Sequence, residues 1–282
     1  MQISIITPCK NSDSFIKETI ESIIFQSGAF DIQYLIIDGG STDKTIEIIE
    51  HYQKLIESEL FIPNCNSISI KLISEQDNGL YDAVAKGFEL ATGDVIGIIN
   101  SDDIYYPGAF SAVSSVFTAQ NLFSVKWISG ISNLINQRAE NIINITPFHY
   151  SKDMIIKGGY GRYLPWIQQE SVFFREELLQ LIDINKFRQY KLAGDFYLWH
   201  EYAKEEQLYI LHSVLTGFRK HDNNLSNDLD QYFDEFNTII SKKKSIIDWI
   251  KIAFLALMWH TPYYIKRKLS PSMIKIEEDI KL

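Results

Sequence analysis

The residues best suited to chemistry stand directly behind short apolar runs. Ile98-Ile99-Asn100-Ser101-Asp102-Asp103 sets an amide and two carboxylates at the end of such a run. Oxygen donors so placed suit Mg2+ or Mn2+, which commonly take one or two protein carboxylates and leave other positions to water and phosphate. The competing reading of Asp-Asp behind a strand is a turn or a helix cap. Asp38-Gly39-Gly40-Ser41-Thr42-Asp43 combines permissive backbone, amides and a carboxylate just before a helical stretch. An Asp there can accept the imino proton of a nucleotide base, while a helix N-terminus offers amides to anions. The same run also reads as a strand-to-helix turn with Thr42 or Asp43 as N-cap. It contains neither the Gly-Lys-Ser/Thr of a phosphate loop nor Gly-x-Gly-x-x-Gly.

Elements that position these residues follow from the periodicity. Apolar runs at residues 3–7, 34–38, 68–73 and 95–100 are rich in Ile or Val and end in polar residues or glycine, the pattern of buried strands. Helical patterns lie between them: residues 15–24 after Ser12 and Asp13, 46–55 after Thr42 and Asp43, and 80–91. Alternation of strand and helix predicts an α/β fold with a parallel sheet, whose ligands bind beyond the carboxyl ends of the strands. Residues 7–11, 38–43, 74–82 and 100–103 occupy those ends.

From about Trp127 the pattern is less regular, with a glycine turn at Gly158, Gly159 and Gly161, an apolar segment at 171–174 and a helical stretch at 195–203. No internal repeat or low-complexity linker interrupts the chain. The polar stretch 222–235 is the boundary expected before a C-terminal helical appendage, so the expected division is 1–225 and 226–282, the first part splitting into halves 1–117 and 118–225. With 282 residues, 46% hydrophobic and 22% charged, the composition is that of a globular protein rather than a disordered one. A formal net charge of −9, from 36 acidic and 27 basic residues, argues against nucleic acid as a partner, because phosphate binding relies on Lys and Arg. Cys9 and Cys65 are too few for a disulfide framework and suit a reducing cytoplasm. The first residues lack the basic head of a secretory signal, and residues 246–259, broken by Asp248 and Lys251, fall short of the ~18 apolar residues of a membrane span.

Taken together, Ile3-Ser4-Ile5-Ile6-Thr7-Pro8 with Asn11, the 38–43 run, Glu75-Gln76-Asp77-Asn78-Gly79-Leu80-Tyr81-Asp82-Ala83 with Lys86-Gly87, Ala91-Thr92-Gly93-Asp94, and Asn100-Ser101-Asp102-Asp103 occur in the order seen in family 2 glycosyltransferases. The sequence resembles a bacterial member of that family over residues 1 to about 117. The resemblance implies a GT-A fold, a nucleotide-sugar donor, a divalent cation (Mn2+ or Mg2+) and inversion at the anomeric carbon. It implies that Thr7 and Pro8 lie near base and ribose, that Asp38 lies on the base, that Asn11 and Gly40 belong to the donor-binding set, and that Asp77, Gly79, Asp82 and Lys86 line the donor pocket. Asn100 and Ser101 join that pocket, and Asp102 holds the metal. Asn100 replaces the first Asp of the usual Asp-x-Asp, and Ala85 stands where many relatives carry Asn.

Farther on, Gln168-Gln169-Glu170-Ser171-Val172-Phe173-Phe174-Arg175 resembles the segment that usually opens with His-Gln, which implies an acceptor-side role for Glu170. Leu192-Ala193-Gly194-Asp195 matches the place where relatives keep their general base, so Asp195 is the expected catalytic residue; an N-cap is its alternative. A carboxylate base suits the reaction because a sugar hydroxyl is a weak nucleophile until its proton is taken. The stretch 216–226 resembles the late Arg-x-His…Ser element, implying that Arg219 contacts phosphate and that His221 joins the metal. Trp166, Tyr163 and Tyr160 read as sugar-stacking or core residues. The 246–268 segment, apolar and then basic at Lys266-Arg267-Lys268, fits either a docked helix or an interfacial one on an anionic membrane.

The expectation is therefore an inverting glycosyltransferase of the cytoplasm, or of the inner face of the plasma membrane. It moves a sugar, from a UDP-sugar in preference to a GDP-sugar, onto a saccharide or polyprenyl-diphosphate-linked saccharide during surface polysaccharide synthesis. Alternatives are a non-catalytic nucleotide- or carbohydrate-binding protein of the same fold and a sugar-nucleotide pyrophosphorylase. The pyrophosphorylase would want a Gly-rich basic loop where this chain has Thr7-Pro8-Cys9-Lys10-Asn11.

Overall fold

Isoleucine-rich runs buried on both faces make the centre of a sheet, and strand β1 (Gln2–Cys9) is such a run, buried from Ile3 onward. The computed structural model describes all residues except 59, 145, 223, 225–227, 241–242 and 277–282. After β1 come α1 (Ile16–Ile24), β2 (Gly28–Asp38), α2 (Thr45–Glu57), β3 (Cys65–Ser74), α3 (Leu80–Leu90) and β4 (Val95–Ile98). Strands β3, β2, β1 and β4 lie side by side, all parallel. The four apolar runs thus form strands, but β3, expected to be buried, is an edge strand with no buried residue along its length, because only β2 covers it in the sheet. Neither α1 nor α2 is capped as expected. The Ser12 carbonyl, not a side chain, accepts from Phe15 and Ile16 amides, and α2 is entered through Lys44, with Asp43 accepting from the Thr45 amide at 3.0 Å and the Asp13 amide at 3.2 Å.

The second half continues the same sheet. It contains β5 (Ile104–Tyr105), α4 (Ala109–Thr118), β6 (Trp127–Ile135), β7 (Asn141–Asn144), α5 (Lys152–Ile156), β8 (Val172–Arg175), α6 (Ile184–Phe187), α7 (Gly194–Glu205) and β9 (Leu208–Arg219). After these come α8 (Leu229–Ile239), α9 (Ile246–Trp259), α10 (Tyr263–Leu269) and β10 (Met273–Ile274). Among the described residues the order is β10-β9-β6-β8-β4-β1-β2-β3, with β5 on β9 and β7 on β6. Strand β8 is antiparallel to both neighbours, while β6 and β10 run parallel to β9.

Apolar side chains fill both sides of this sheet. One core joins Ile3, Ile5 and Ile36 to α1, α2 and α4; the other joins Ile6, Leu35, Ile98 and Trp127 to α3, α7, α8 and the inner side of α9. The stretch expected as a C-terminal appendage is helical in α8, α9 and α10, yet it supplies Tyr232, Phe236, Ile252 and Trp259 to the main core and returns β10 to the sheet.

Candidate active site

Register brings the carboxyl ends of β1 and β2 together, since Cys9 pairs with Asp38, and their loops are then stitched side by side. Asn11, at φ 51, accepts from the Thr42 amide at 2.8 Å and donates its own amide to Ser41 Oγ at 2.7 Å. The Ser12 amide donates to Thr45 Oγ1 at 2.7 Å, and Ser12 Oγ lies 2.7 Å from Ser101 Oγ beyond β4. Gly39 lets the loop after β3 close in, because a Cβ there would fall 2.6 Å from Asp77 Oδ2.

Two expected donor contacts are replaced by structural roles. Asp38 is fully buried and accepts from the Gly40 amide at 3.1 Å, the Ser41 amide at 3.0 Å, Ser74 Oγ at 2.7 Å and the Ser41 hydroxyl. Burial alone would raise its pKa, but these donors outweigh it and hold the carboxyl below its usual range. With its lone pairs so engaged, Asp38 shapes the turn instead of presenting an open acceptor to a base. Thr7 points into the core, where its hydroxyl accepts from Tyr34 at 3.2 Å; strand alternation, not proximity to the loop, decides its direction. Pro8 is buried next to it in the paired strand and Asn11 is exposed at the loop.

The expected donor residues around α3 also brace one another. Asp77 Oδ1 accepts from the Gly79 amide at 2.9 Å, and Gly79 takes φ +121, a conformation that favours glycine. Asp82, almost buried, accepts from the Asn78 amide at 3.0 Å and pairs with Arg188 at 3.0 Å. Its burial is outweighed by these donors, so its carboxyl lies below the usual range. Lys86 pairs with Glu75 at 2.8 Å and donates to the Gln76 carbonyl. Asp82 and Lys86 therefore hold the 75–79 loop against α3, rather than facing open solvent as donor ligands.

Beyond β4, Asp102 Oδ2 lies 2.8 Å from His221 Nε2. The His221 ring stacks on Phe15 with centroids 5.2 Å apart. Both side chains are partly exposed. A carboxylate and an imidazole converging at a strand end fit a divalent cation held by two protein ligands with the rest supplied by substrate and water; no cluster of three ligating side chains occurs among the described residues. On the same loop Asn100 Oδ1 is buried without a hydrogen-bond partner, and Ser101 meets Ser12.

Arg219, expected to contact phosphate, is turned into the protein in this arrangement. It is fully buried, and every part of it is engaged: its amide donates to Asp103 Oδ1 at 2.7 Å, Nε to the Asp102 carbonyl at 2.7 Å, one terminal nitrogen to the Gln137 carbonyl at 2.8 Å and the other to Glu18 at 2.6 Å. Arg219 locks the 100–103 loop between β9 and α1. Of the expected late Arg-x-His…Ser element, residues 223 and 225–227 lie outside the described residues.

Asp195 opens α7 next to Tyr81 and Tyr232, whose hydroxyl donates to Oδ1 at 3.3 Å, while the Phe196 amide donates at 2.6 Å. The N-cap of α7 is Ala193, so Asp195 is not the cap. Burial pushes its carboxyl up to about 7, and the charge of Glu170 adds to the rise. Glu170 sits in a short 3-10 turn, Gln169–Ser171, buried, accepting from Ser132 Oγ at 2.6 Å; burial and the charge of Asp102 raise it. The field of Asp102 thus reaches Glu170, and that of Glu170 reaches Asp195. Beside Glu170 a cavity of about 200 Å3 is lined by Ser132, Tyr150, Trp166, Gln168 and Trp259.

Sequence reasoning misses the supports of Asp195. Glu235 on α8 accepts from the amides of Lys191, Leu192 and Ala193 at 2.8, 2.9 and 2.9 Å. Nothing in the local sequence marks Glu235, whereas Tyr81 lies inside the quoted 75–83 motif.

Residues 4–159, more than half of the chain, match the family model described as Glycosyl transferase family 2. An uncharacterized glycosyltransferase of Nostoc sp. is 28% identical over 125 residues, covering 44% of this chain and 35% of that protein, so the match spans about a third of the relative. Among solved structures, TarS 1–349 of S. aureus in complex with UDP-GlcNAc aligns with a TM-score of 0.60 at 15% identity, over 85% of this chain and 65% of that one. Mannosyltransferase PcManGT of Pyrobaculum calidifontis, in complex with GDP-Man and Mn2+, aligns with a TM-score of 0.54 at 14% identity, over 94% of this chain and 71% of that one. At these identities the likeness is one of fold, and the fold is GT-A-like, a mostly parallel central sheet flanked by helices. By its family-model match, the chain belongs to glycosyl transferase family 2.

Proposed function

We propose that the chain transfers a sugar, with inversion, from a nucleotide sugar to a hydroxyl of a saccharide or polyprenyl-diphosphate-linked saccharide in surface polysaccharide synthesis, a UDP-sugar being the favoured donor. The observation that carries this reading is Asp195, a half-buried carboxylate raised to about 7 and coupled through Glu170 to the Asp102 loop. A base with its pKa near neutrality is matched to taking a proton from a hydroxyl as the new bond forms. In the proposed step the acceptor oxygen attacks the anomeric carbon, the bond to the nucleoside diphosphate breaks, and the hydroxyl proton passes to Asp195. Tyr81, Tyr232 and Glu235 orient the start of α7, and the cavity beside Glu170 has the size and aromatic lining for a sugar-bearing acceptor.

Asp102 and His221 are the residues that would hold a divalent cation, which when bound offsets the charge of the leaving diphosphate. The PcManGT complex with GDP-Man and Mn2+ and the TarS complex with UDP-GlcNAc support this reading by analogy of fold. In the proposed division residues 1–117 serve the donor and 118–225 the acceptor, with His221 reaching back to Asp102. Free Cys9 and Cys65 agree with a reducing cytoplasm. Calorimetric titration of UDP, GDP, CDP and ADP, each with and without Mn2+, tests the reading. One nucleotide binding selectively and only with metal is expected; no binding by all four would overturn it.

A further inference from the structure

Among the described residues no helix is long and apolar enough to cross a membrane, yet α9 is apolar on both sides. Ile252, Leu255, Met258 and Trp259 face the core, while Ile246, Ile247, Ile250, Phe254 and Leu257 form an outward stripe at three- and four-residue spacing, each between 56 and 80% exposed. Tyr264 and Leu269 of α10 are also exposed. An apolar stripe such as that of α9 marks an interaction site, and the charge around it selects the partner. Residues 243–268 carry six basic side chains against one acidic, in a chain of net charge −9; of the six, Lys266 is buried and donates to the Thr146 carbonyl at 2.8 Å, which leaves five at or near the surface. The single acid, Asp248, is turned inward against Lys157 at 2.8 Å. Lys243 and Lys268 are exposed, and Lys251 is half exposed beside Asp153. A second copy of this chain would bring like charges face to face, whereas an anionic leaflet offers the opposite sign.

We propose that this face of α9 and α10 docks on an anionic phospholipid surface. A helix of 14 residues is about 21 Å long, short of the ~30 Å hydrocarbon layer, so α9 lies along the interface with its outward stripe in the acyl boundary. Aromatic side chains flank the stripe as interfacial residues do: Trp249 packs edge-on to exposed Tyr163 at 4.9 Å, with Lys244 Nζ 5.1 Å from the Tyr163 ring. Trp259, on the inner side of the same helix, lines the cavity beside Glu170. Docking therefore brings that cavity to the bilayer, where a lipid-linked acceptor would be presented; this last clause rests on the proposed function, the docking itself does not.

The test is co-sedimentation of the full chain with vesicles of phosphatidylcholine alone and of equal parts phosphatidylcholine and phosphatidylglycerol, without donor or acceptor. Binding to the anionic vesicles at least about tenfold tighter than to the neutral ones, and weakening with salt, is expected. Trp249 is the one exposed tryptophan of the five, so bound protein should show blue-shifted emission that Trp249→Phe removes without abolishing sedimentation. Ile250→Glu with Phe254→Glu and Leu257→Glu, all at exposed positions, should keep the melting temperature and lose sedimentation. Lys243→Glu with Lys268→Glu should lose about fivefold per charge on anionic vesicles only. Absence of binding to anionic vesicles, or full binding by the triple-Glu variant, overturns the proposal. So does a dimer that the triple-Glu variant dissolves while neither protein sediments with vesicles. Because nucleotide titration is read separately, failure of the donor reading and failure of docking are distinguishable.

Discussion

Replacing Asp195 by Asn separates the chemistry of the carboxylate from its place in the fold. Raising the carboxyl from 3.8 to about 7 makes its ionisation unfavourable in the folded chain by up to about 4 kcal/mol, and solvent at its exposed edge brings the expected figure to about 2–4 kcal/mol. The sign follows from linkage. Below the unfolded value both states hold the proton and nothing is lost; as pH rises toward 7 the unfolded chain ionises first, and stability falls; above 7 the loss is complete. Asn keeps an oxygen for the Phe196 amide and the Tyr232 hydroxyl and never ionises, so Asp195→Asn should be no more stable than wild type near pH 4 and more stable near pH 8. Urea denaturation across that range reads the difference, while donor binding stays unchanged and turnover drops by about 10²-fold or more. Full turnover, or a stability difference that is flat from roughly pH 4 to pH 8, would refute the reasoning.

Other substitutions probe the surrounding architecture. Asp102→Ala should abolish metal-enhanced nucleotide affinity in calorimetry and His221→Ala should weaken it, with the double variant no worse than Asp102→Ala because both act on one ion. Arg219→Met removes a buried cation that holds the Asp102 carbonyl, the Gln137 carbonyl and Glu18; a loss of about 3–5 kcal/mol in unfolding free energy is expected, read as a lowered urea midpoint. Glu235→Gln leaves one acceptor oxygen where two serve three amides, and should lower kcat more than it raises KM for the acceptor, with a melting loss of about 1–3 kcal/mol.

Much of the first half is legible because each strand there is a single apolar run and each loop falls where a parallel sheet puts its ligands. The second half hides its sheet. Strand β8 is four residues long and antiparallel between two neighbours, and β9 ends in Arg219, with His221 two residues on, the pair that reads as a ligand motif. Periodicity also leaves the facing of Thr7 open, because β1 is buried on both sides and alternation has no polar face to mark. Asp102 and His221 meet at 2.8 Å and Asp195 stands at the start of α7, whereas Arg219 and Asp38 are engaged within the protein. The Arg219 side chain is occupied by partners 82 to 201 residues away in sequence, and separations of that kind leave no local signature; Asp38 is held mainly by Gly40 and Ser41 of its own motif, with Ser74 36 residues on.

The hold of Glu235 on the start of α7 also orders events during synthesis. Ala193 emerges from the ribosome 42 residues before the carboxylate that accepts its amide. A nascent chain that already carries Asp102 and Asp195 therefore lacks the clamp on the start of α7. Under the proposed function, competence to consume an activated sugar would arrive only after α8 has been made, which would keep unfinished chains from wasting donor.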